Sequence, residues 1–448
     1  MPTIEQLNQR NPCVDTVRAA DLHALYEGDV EFEKRLNRFL LRTEREPDSR
    51  YNKRCAEYQY RNYLGEIIDH FSTMLFTSKP VALAFEKDDN GKKGEQVLEI
   101  DQYYTNLRED VDRSGRDIDA FFLDRTTEAM VLGNSWIAIE TPGNVNDAAN
   151  RYEFDTQKLG DSWLRALCYN DVLDWETDSA GNLEWVLYHS SSSKRSVVSS
   201  GRNSITETWT RYGDETVDTY SITYDRNKEP APTTEVPLVD SKKHNFGSCP
   251  VVCLSLPDAQ HVASRLRTPQ LAHFRAVNAQ AFSLSQTCYA APVARVADPE
   301  AFKDMMTGAG FGVVIGIDED WGWEAPPGAH FAALDTEIKS AKDEIHRIAY
   351  LMHLGVENNA AAIGRTAESK SQDAEATRVS LTAYGRVVKA CIERIYDLIS
   401  AARGDKLVWD IAGLDDFAGI DTNGFITICT DLTAAGGVPS KTFNTHLR

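Results

Sequence analysis

Gly355-Val356-Glu357-Asn358-Asn359-Ala360-Ala361-Ala362-Ile363-Gly364-Arg365-Thr366 decides how this chain is read. The stretch is small, polar and bounded by glycines, and it separates two runs of helical periodicity, 336–353 and 369–403. Connections between helices in a compact domain usually take about two to eight residues. This one is longer and rich in turn formers, and loops held on rigid supports are where function concentrates. On its upstream side Ile338, Ala341, Ile345, Ile348 and Met352 recur at spacings of three and four. That is a heptad-like seam, able to pack on a neighbouring helix or subunit. On its downstream side Leu381, Tyr384, Val388, Ile392, Ile395 and Ile399 build one apolar face. Ser369-Lys370-Ser371-Gln372 can cap the start of that helix and Gly404 its end. At 1.5 Å per residue it would be about 50 Å long, enough to span a subunit.

Working outward, Leu271, Phe274, Val277, Ala281, Leu284 and Cys288 predict an earlier helix over 269–291, with Thr268 as cap and Pro269 in its first turn. Between it and the seam lies a mixed segment. It holds a short helix around 301–306, a strand at 313–317 and the acidic-aromatic run Asp318-Glu319-Asp320-Trp321-Gly322-Trp323. Residues 160–256 read as mostly β. A hairpin joins 172–175 to 183–188, an exposed loop is expected from Ser190 to Ser193 and then Ser199-Ser200-Gly201, and threonine- and aromatic-rich strands fall at 206–210 and 219–224. The N-terminal third reads as helical. Tyr60, Leu64, Ile67, Phe71 and Leu75 are expected to share one face, and a second helix runs over 117–132 before a strand at 136–139. The class is therefore α+β.

Composition bounds the function. With 448 residues the chain exceeds one ordinary core. It is 42% hydrophobic with a formal charge of -20, which disfavours a passive phosphate-binding surface. No run of about 18 apolar residues predicts a membrane span, and the first residues, Met1-Pro2-Thr3-Ile4-Glu5-Gln6, lack the pattern of a signal peptide. The eight cysteines are scattered. Only Cys249 and Cys253 are close, with His244 the one nearby partner, so packed, reduced thiols are expected rather than a four-ligand zinc site.

No phosphate-binding glycine loop with lysine, no nucleophile elbow and no His-Glu-x-x-His stands in the chain. Asp318, Glu319 and Asp320 have the oxygen chemistry for magnesium, yet neighbours in an extended segment point to opposite faces, so a solvated acidic loop is expected. His346 and His353 lie two helical turns apart, too far for one metal. Trp321 and Trp323 fall on one face as a packed or interface pair. Neither cofactor, metal nor catalytic residue is expected.

The order of parts resembles the portal proteins of tailed bacteriophages. The resemblance rests on the early helix from Tyr51-Asn52-Lys53-Arg54 to Pro80 and on Val131-Leu132-Gly133-Asn134-Ser135-Trp136-Ile137-Ala138-Ile139. It rests also on the helix at 269–291, the segment 335–354 and Thr366-Ala367-Glu368 leading into the long helix. It covers about 50–440 and lies in soft patterns rather than one diagnostic string. It implies a portal-like α+β fold with wing, stem, clip and a small crown. The wing would be 1–256, the first stem helix 257–291, the clip 292–334 and the second stem helix 335–354. The tunnel loop would be 355–368, the long wing and crown helix 369–404, and a C-terminal wing strand with a reduced crown 405–448. It implies a ring, usually dodecameric, at one vertex of the capsid in the virion, assembled in the host cytoplasm. Double-stranded DNA would pass through it without sequence specificity, and there would be no membrane. Implied partners are the terminase large subunit, a head-tail adaptor and the major capsid or scaffold protein. Glu357, Asn358, Asn359, Arg365 and Lys370 would face DNA. Asp318, Glu319, Asp320, Trp321 and Trp323 would face partners, and Ile338, Ile345, Ile348 and Met352 would lie between subunits. An acidic conduit with few loop cations would let DNA slide instead of holding its phosphates. A metal-dependent hydrolase using scattered carboxylates, or another virion ring or adaptor protein, remains the competing class.

Overall fold

The structure, a computed structural model, describes residues 1–42, 44, 46–87, 93–143, 150–159, 161–195, 203–225, 230–287, 293–295, 313–315, 329–349 and 367–414. Helices α1 (Ile4–Leu7), α2 (Thr16–Glu27), α3 (Asp29–Lys34), α4 (Leu36–Phe39), α5 (Asp48–Ala56) and α6 (Tyr63–Leu75) come first. Strands β1 (Val81–Lys87) and β2 (Lys93–Gln96), helices α7 (Gln102–Glu109) and α8 (Ile118–Leu132), strand β3 (Asn134–Glu140) and helix α9 (Arg151–Thr156) follow. The β-rich run holds β4 (Trp163–Leu167), β5 (Val172–Thr177), β6 (Leu183–Arg195), β7 (Asn203–Tyr212), β8 (Thr216–Asp225), β9 (Leu238–Lys243) and β10 (Val251–Ser255). Then come α10 (Val262–Thr287), β11 (Val293–Arg295), β12 (Val313–Ile315), α11 (Ala329–Ile348), α12 (Ala367–Arg403) and β13 (Leu407–Ala412). The fold is mixed α+β. Two compact units divide the chain. One is built from Met1–Thr16, Asp69–His261 and Ala374–Arg448, the other from Val17–Ile68 and Val262–Asp373.

In the first unit β5 to β9 form an antiparallel meander. The β5–β6 turn closes on Asp178, whose Oδ1 accepts from the backbone N–H of Ala180 and of Asn182. Side chains alternate across a strand, so this sheet carries two apolar clusters. Val172, Val186, Tyr188 and Tyr212 pack with Trp136, Leu167 and Val251. Leu173, Leu187 and Trp209 pack with Ile4, Leu7 and Val236. The first of these joins the meander to the antiparallel sheet β10-β3-β4. Helix α8 starts where Asp117 accepts from Ala120 N–H, and it ends at Gly133 in the left-handed region. A third sheet, β13-β1-β2, is also antiparallel. All six predicted face residues of α12, from Leu381 to Ile399, are buried, and Gly404 follows the helix with φ +74°.

The serine run differs from expectation. Ser190 to Ser193 continue β6, paired with Thr208, Glu207, Thr206 and Ile205 of β7, while Ser199-Ser200-Gly201 lies outside the described residues. Threonine pairs such as Thr206–Thr223, 2.9 Å apart, support the adjoining β7–β8 ladder. Backbone pairing to a threonine-rich neighbour outweighs the turn preference of serine.

In the second unit α10 begins at Val262, not Pro269, which lies inside it. Proline removes one intrahelical donor and crowds the carbonyl four residues back. Burial of Val262, Ala263 and Leu266 in the preceding turns offsets that cost. The connector between α5 and α6 is fixed by buried amides of α10. Asn278 accepts from Gln59 N–H and donates to Gln59 O, and Gln270 donates to the Arg61 carbonyl. Helix α6 starts only at Tyr63, so Tyr60 precedes it instead of sharing its apolar face. Tyr60 and Asn62 donate to the carbonyls of Leu25 and Tyr26 at the end of α2. The rings of Phe32, Tyr60 and Phe274 meet beside them, with centroids 3.9 Å and 5.0 Å from Phe32.

Candidate functional site

The helix pair α10–α11 is where the predicted assembly residues can be placed. Helix α11 packs against α10, and it begins at Ala329, seven residues before the periodicity suggested. Ile345 is 0% exposed and Ala341 and Ala349 are buried, whereas Ile338 and Ile348 are half-buried. The seam is thus occupied at its centre by its own chain, and Ile338 and Ile348 keep part of their surface exposed. Met352 lies outside the described residues. So do Asp318, Glu319, Asp320, Trp321 and Trp323, and so do Glu357, Asn358, Asn359 and Arg365, with the whole stretch 350–366. Lys370 falls on the first turn of α12.

Aromatic contacts with no local signal in the sequence fix this pair. Tyr63 meets His273 of α10 and His346 of α11 edge-on, with centroids 5.1 Å and 5.9 Å away. His273 is 1% exposed, and neither ring nitrogen has a hydrogen-bond partner among the described residues. Burial, with the charges of Arg61 and Lys342, pulls it down to about 4. It is therefore neutral in the folded chain at pH 7. An unfolded histidine titrates near 6.5, so acid protonates the unfolded state first. Stability should fall as pH drops from about 6.5 to about 4, at roughly 1.4 kcal/mol per pH unit from this group. His273→Leu should flatten that limb when urea unfolding is compared at pH 6.5 and 4.5. An unchanged slope would show that the ring is charged in the fold.

An ionic group joins α2, α4 and α10. Asp21, its side chain 2% exposed, accepts from Arg35 Nη1 at 2.8 Å, from Arg38 Nε and Nη2 at 3.0 Å each and from Arg267 Nη2 at 3.3 Å. Burial alone would raise its pKa, but Arg38 and Arg35 outweigh burial and hold the carboxyl below its usual range. The first unit carries the reverse arrangement. Arg403, at the end of α12, donates to Asp101 at 2.8 Å, Asp161 at 2.7 Å and Asp405 at 3.0 Å, and its guanidinium lies 4.2 Å from the Tyr103 ring centre.

Cys249, Cys253 and Cys391 behave as packing groups, whereas Cys13 and Cys168 are exposed. Cys249 donates to Tyr212 O, and burial pushes Cys249 and Cys253 up to about 12. His244 is engaged with Gly213 O and Phe246 N–H. Among the described residues no group of three or more His, Cys, Asp or Glu could hold a metal, and no helix is long and apolar enough to cross a membrane.

No family model matches this chain, and no curated protein matches it. Two solved structures are similar over most of their length. A chain of the virion of the native gene transfer agent particle aligns with TM-score 0.37 and 12% identity, over 86% of this chain and 89% of that one. A chain of the neck of the native particle, computed with C12 symmetry, aligns with TM-score 0.35 and 13% identity, over 84% and 87%. At these scores neither likeness assigns a function.

Proposed function

We propose that this chain is a portal-type subunit that closes into a ring at the unique vertex of a phage-like capsid. The ring serves as the conduit for DNA during packaging and ejection, and it docks the terminase large subunit, a head-tail adaptor and the capsid or scaffold protein. One observation supports this reading, the order of elements from α10 to β13. Helix α10 is followed by the parallel pair β11–β12, then by α11 packed back on α10, then by the 37-residue α12 leading to β13. In a portal these are stem, clip, stem and the long helix of the wing. Residues 355–366, with Glu357, Asn358, Asn359 and Arg365, would then line the tunnel, and Asp318 to Trp323 would meet the motor or adaptor. A ring of heterologous contacts must close to avoid an open polymer.

The test is assembly. Purified protein at micromolar concentration and moderate salt should give closed rings with a central hole in negative-stain images, without added cofactor. A strictly monomeric or dimeric species would reject the ring and favour the hydrolase reading.

A further inference from the structure

The cluster around Asp21 holds more guanidinium than one carboxylate needs. A carboxylate offers about four acceptor positions and an arginine five N–H donors. Arg35, Arg38 and Arg267 fill the acceptor positions of Asp21 with four contacts. One bidentate arginine would satisfy a structural pair, and Arg38 alone is bidentate. Arg35 and Arg267 remain 28% and 37% exposed, so both guanidiniums keep surface toward solvent. Helix α10 supplies Arg265, Arg267 and Arg275 and no acidic residue over 262–287. The arrangement fits a receptor for an outside anion, with Asp21 orienting the guanidiniums as a buried anchor.

We infer that this cluster binds carboxylates of a neighbouring copy of the same chain, as one half of the ring contact. The inference rests on the ring reading above. The chain carries 68 acidic against 48 basic residues, so a second copy presents predominantly negative surface. The first unit contains a cluster of opposite excess, three carboxylates on Arg403. A heterologous ring joins one patch to a different patch around the circle, which a chain bearing both kinds of cluster can do. Charged groups across such a contact fix its register and partner choice. Duplex DNA, the rival anion, is bound by extended basic tracks that neutralise many phosphates, and three guanidiniums on a chain of charge -20 are not one.

The full-length chain tests this with Arg35→Lys. The change keeps the charge and introduces a primary amine that a zero-length carbodiimide can join to a carboxylate in contact. Rings assembled from mixed isotope-labelled and unlabelled chains should yield a cross-link between residue 35 and an acidic residue of another copy. Rings that form but link residue 35 only within its own chain, or not at all, would overturn the proposal. A second variant, Arg35→Gln with Arg267→Gln, should raise the concentration needed for assembly about tenfold, an effect of about 1.4 kcal/mol in affinity. Its loss should resemble that of wild type at high salt, while the circular-dichroism spectrum is retained. Unchanged assembly, or intact rings that lose duplex DNA binding instead, would also overturn it, the latter naming nucleic acid as the partner. Wild-type protein that forms no ring rejects the portal reading itself and this inference with it.

Discussion

Gly385→Ala is expected to destabilise the first unit by about 3 kcal/mol or more, despite replacing a glycine inside a long helix with the best helix former. In an exposed helix the same change would add about 1 kcal/mol of stability, because glycine there loses more backbone freedom. Two quantities compete, and the contact decides between them. A Cβ built at position 385 would lie 1.6 Å from the carbonyl oxygen of Leu414. That is a backbone atom and has no rotamer by which to withdraw. The neighbouring turn is constrained in its own right. Leu414 is fully buried with φ +59°, and a Cβ on Gly413 would come within 2.4 Å of Lys79 O. Relief would require α12 to move away from the turn after β13, and β13 is paired with β1 along its length. Thermal unfolding followed by circular dichroism measures the effect. A melting temperature equal to or above wild type would mean that helix and turn are not in contact.

This approach was invisible in the sequence, and the reason is physical. The periodicity of α12 showed which residues face the core, because burial of Leu381, Val388 or Ile395 repeats with the helical period. A single glycine in such a run looks like a weak spot. Its meaning lies in residue 414, a long-range neighbour that no local pattern announces. The same division holds elsewhere. The extent of helix α8 is legible over 117–132 because a glycine stop at 133 is a local signal, while its cap, Asp117, is seen only in the structure. The start of α10 was not legible, since Pro269 is also a good first-turn residue, and only the burial of Val262, Ala263 and Leu266 shows that the helix is already under way. The ionic cluster escaped notice for a similar reason. Asp21, Arg38 and Arg267 come from three helices distant in the chain, and a lone buried aspartate has no signature in one sequence. Glu357, Asn358, Asn359 and Arg365 and the run Asp318 to Trp323 lie outside the described residues, so their proposed roles follow from the resemblance and the order of elements.

The seam of α11 carries the other large effect, and it separates folding from assembly. Ile345→Asp is expected to unfold the second unit or to cost it roughly 4 kcal/mol or more. Removing a fully buried isoleucine side chain costs about 2–5 kcal/mol, and an unpaired carboxylate in its place adds the price of desolvation. The site offers little relief. Ile345 is completely enclosed, with Ala341 and Ala349 buried on either side and α10 packed across them. His346 follows it against the Tyr63 ring, so a shift of the helix would disturb that contact too. Ile348→Asp stands as the comparison. Ile348 is only half-buried, so its carboxylate can reach water and the chain should keep its fold. If the exposed part of Ile348 is a ring contact, that variant should remain a folded monomer. Urea unfolding of both variants at concentrations where wild type is dissociated removes assembly from the comparison. There Ile345→Asp should lose its cooperative transition or shift it far toward low urea, while Ile348→Asp should stay close to wild type. Equal stability of the two would place Ile345 on the surface and return the whole seam, centre included, to the contact between subunits.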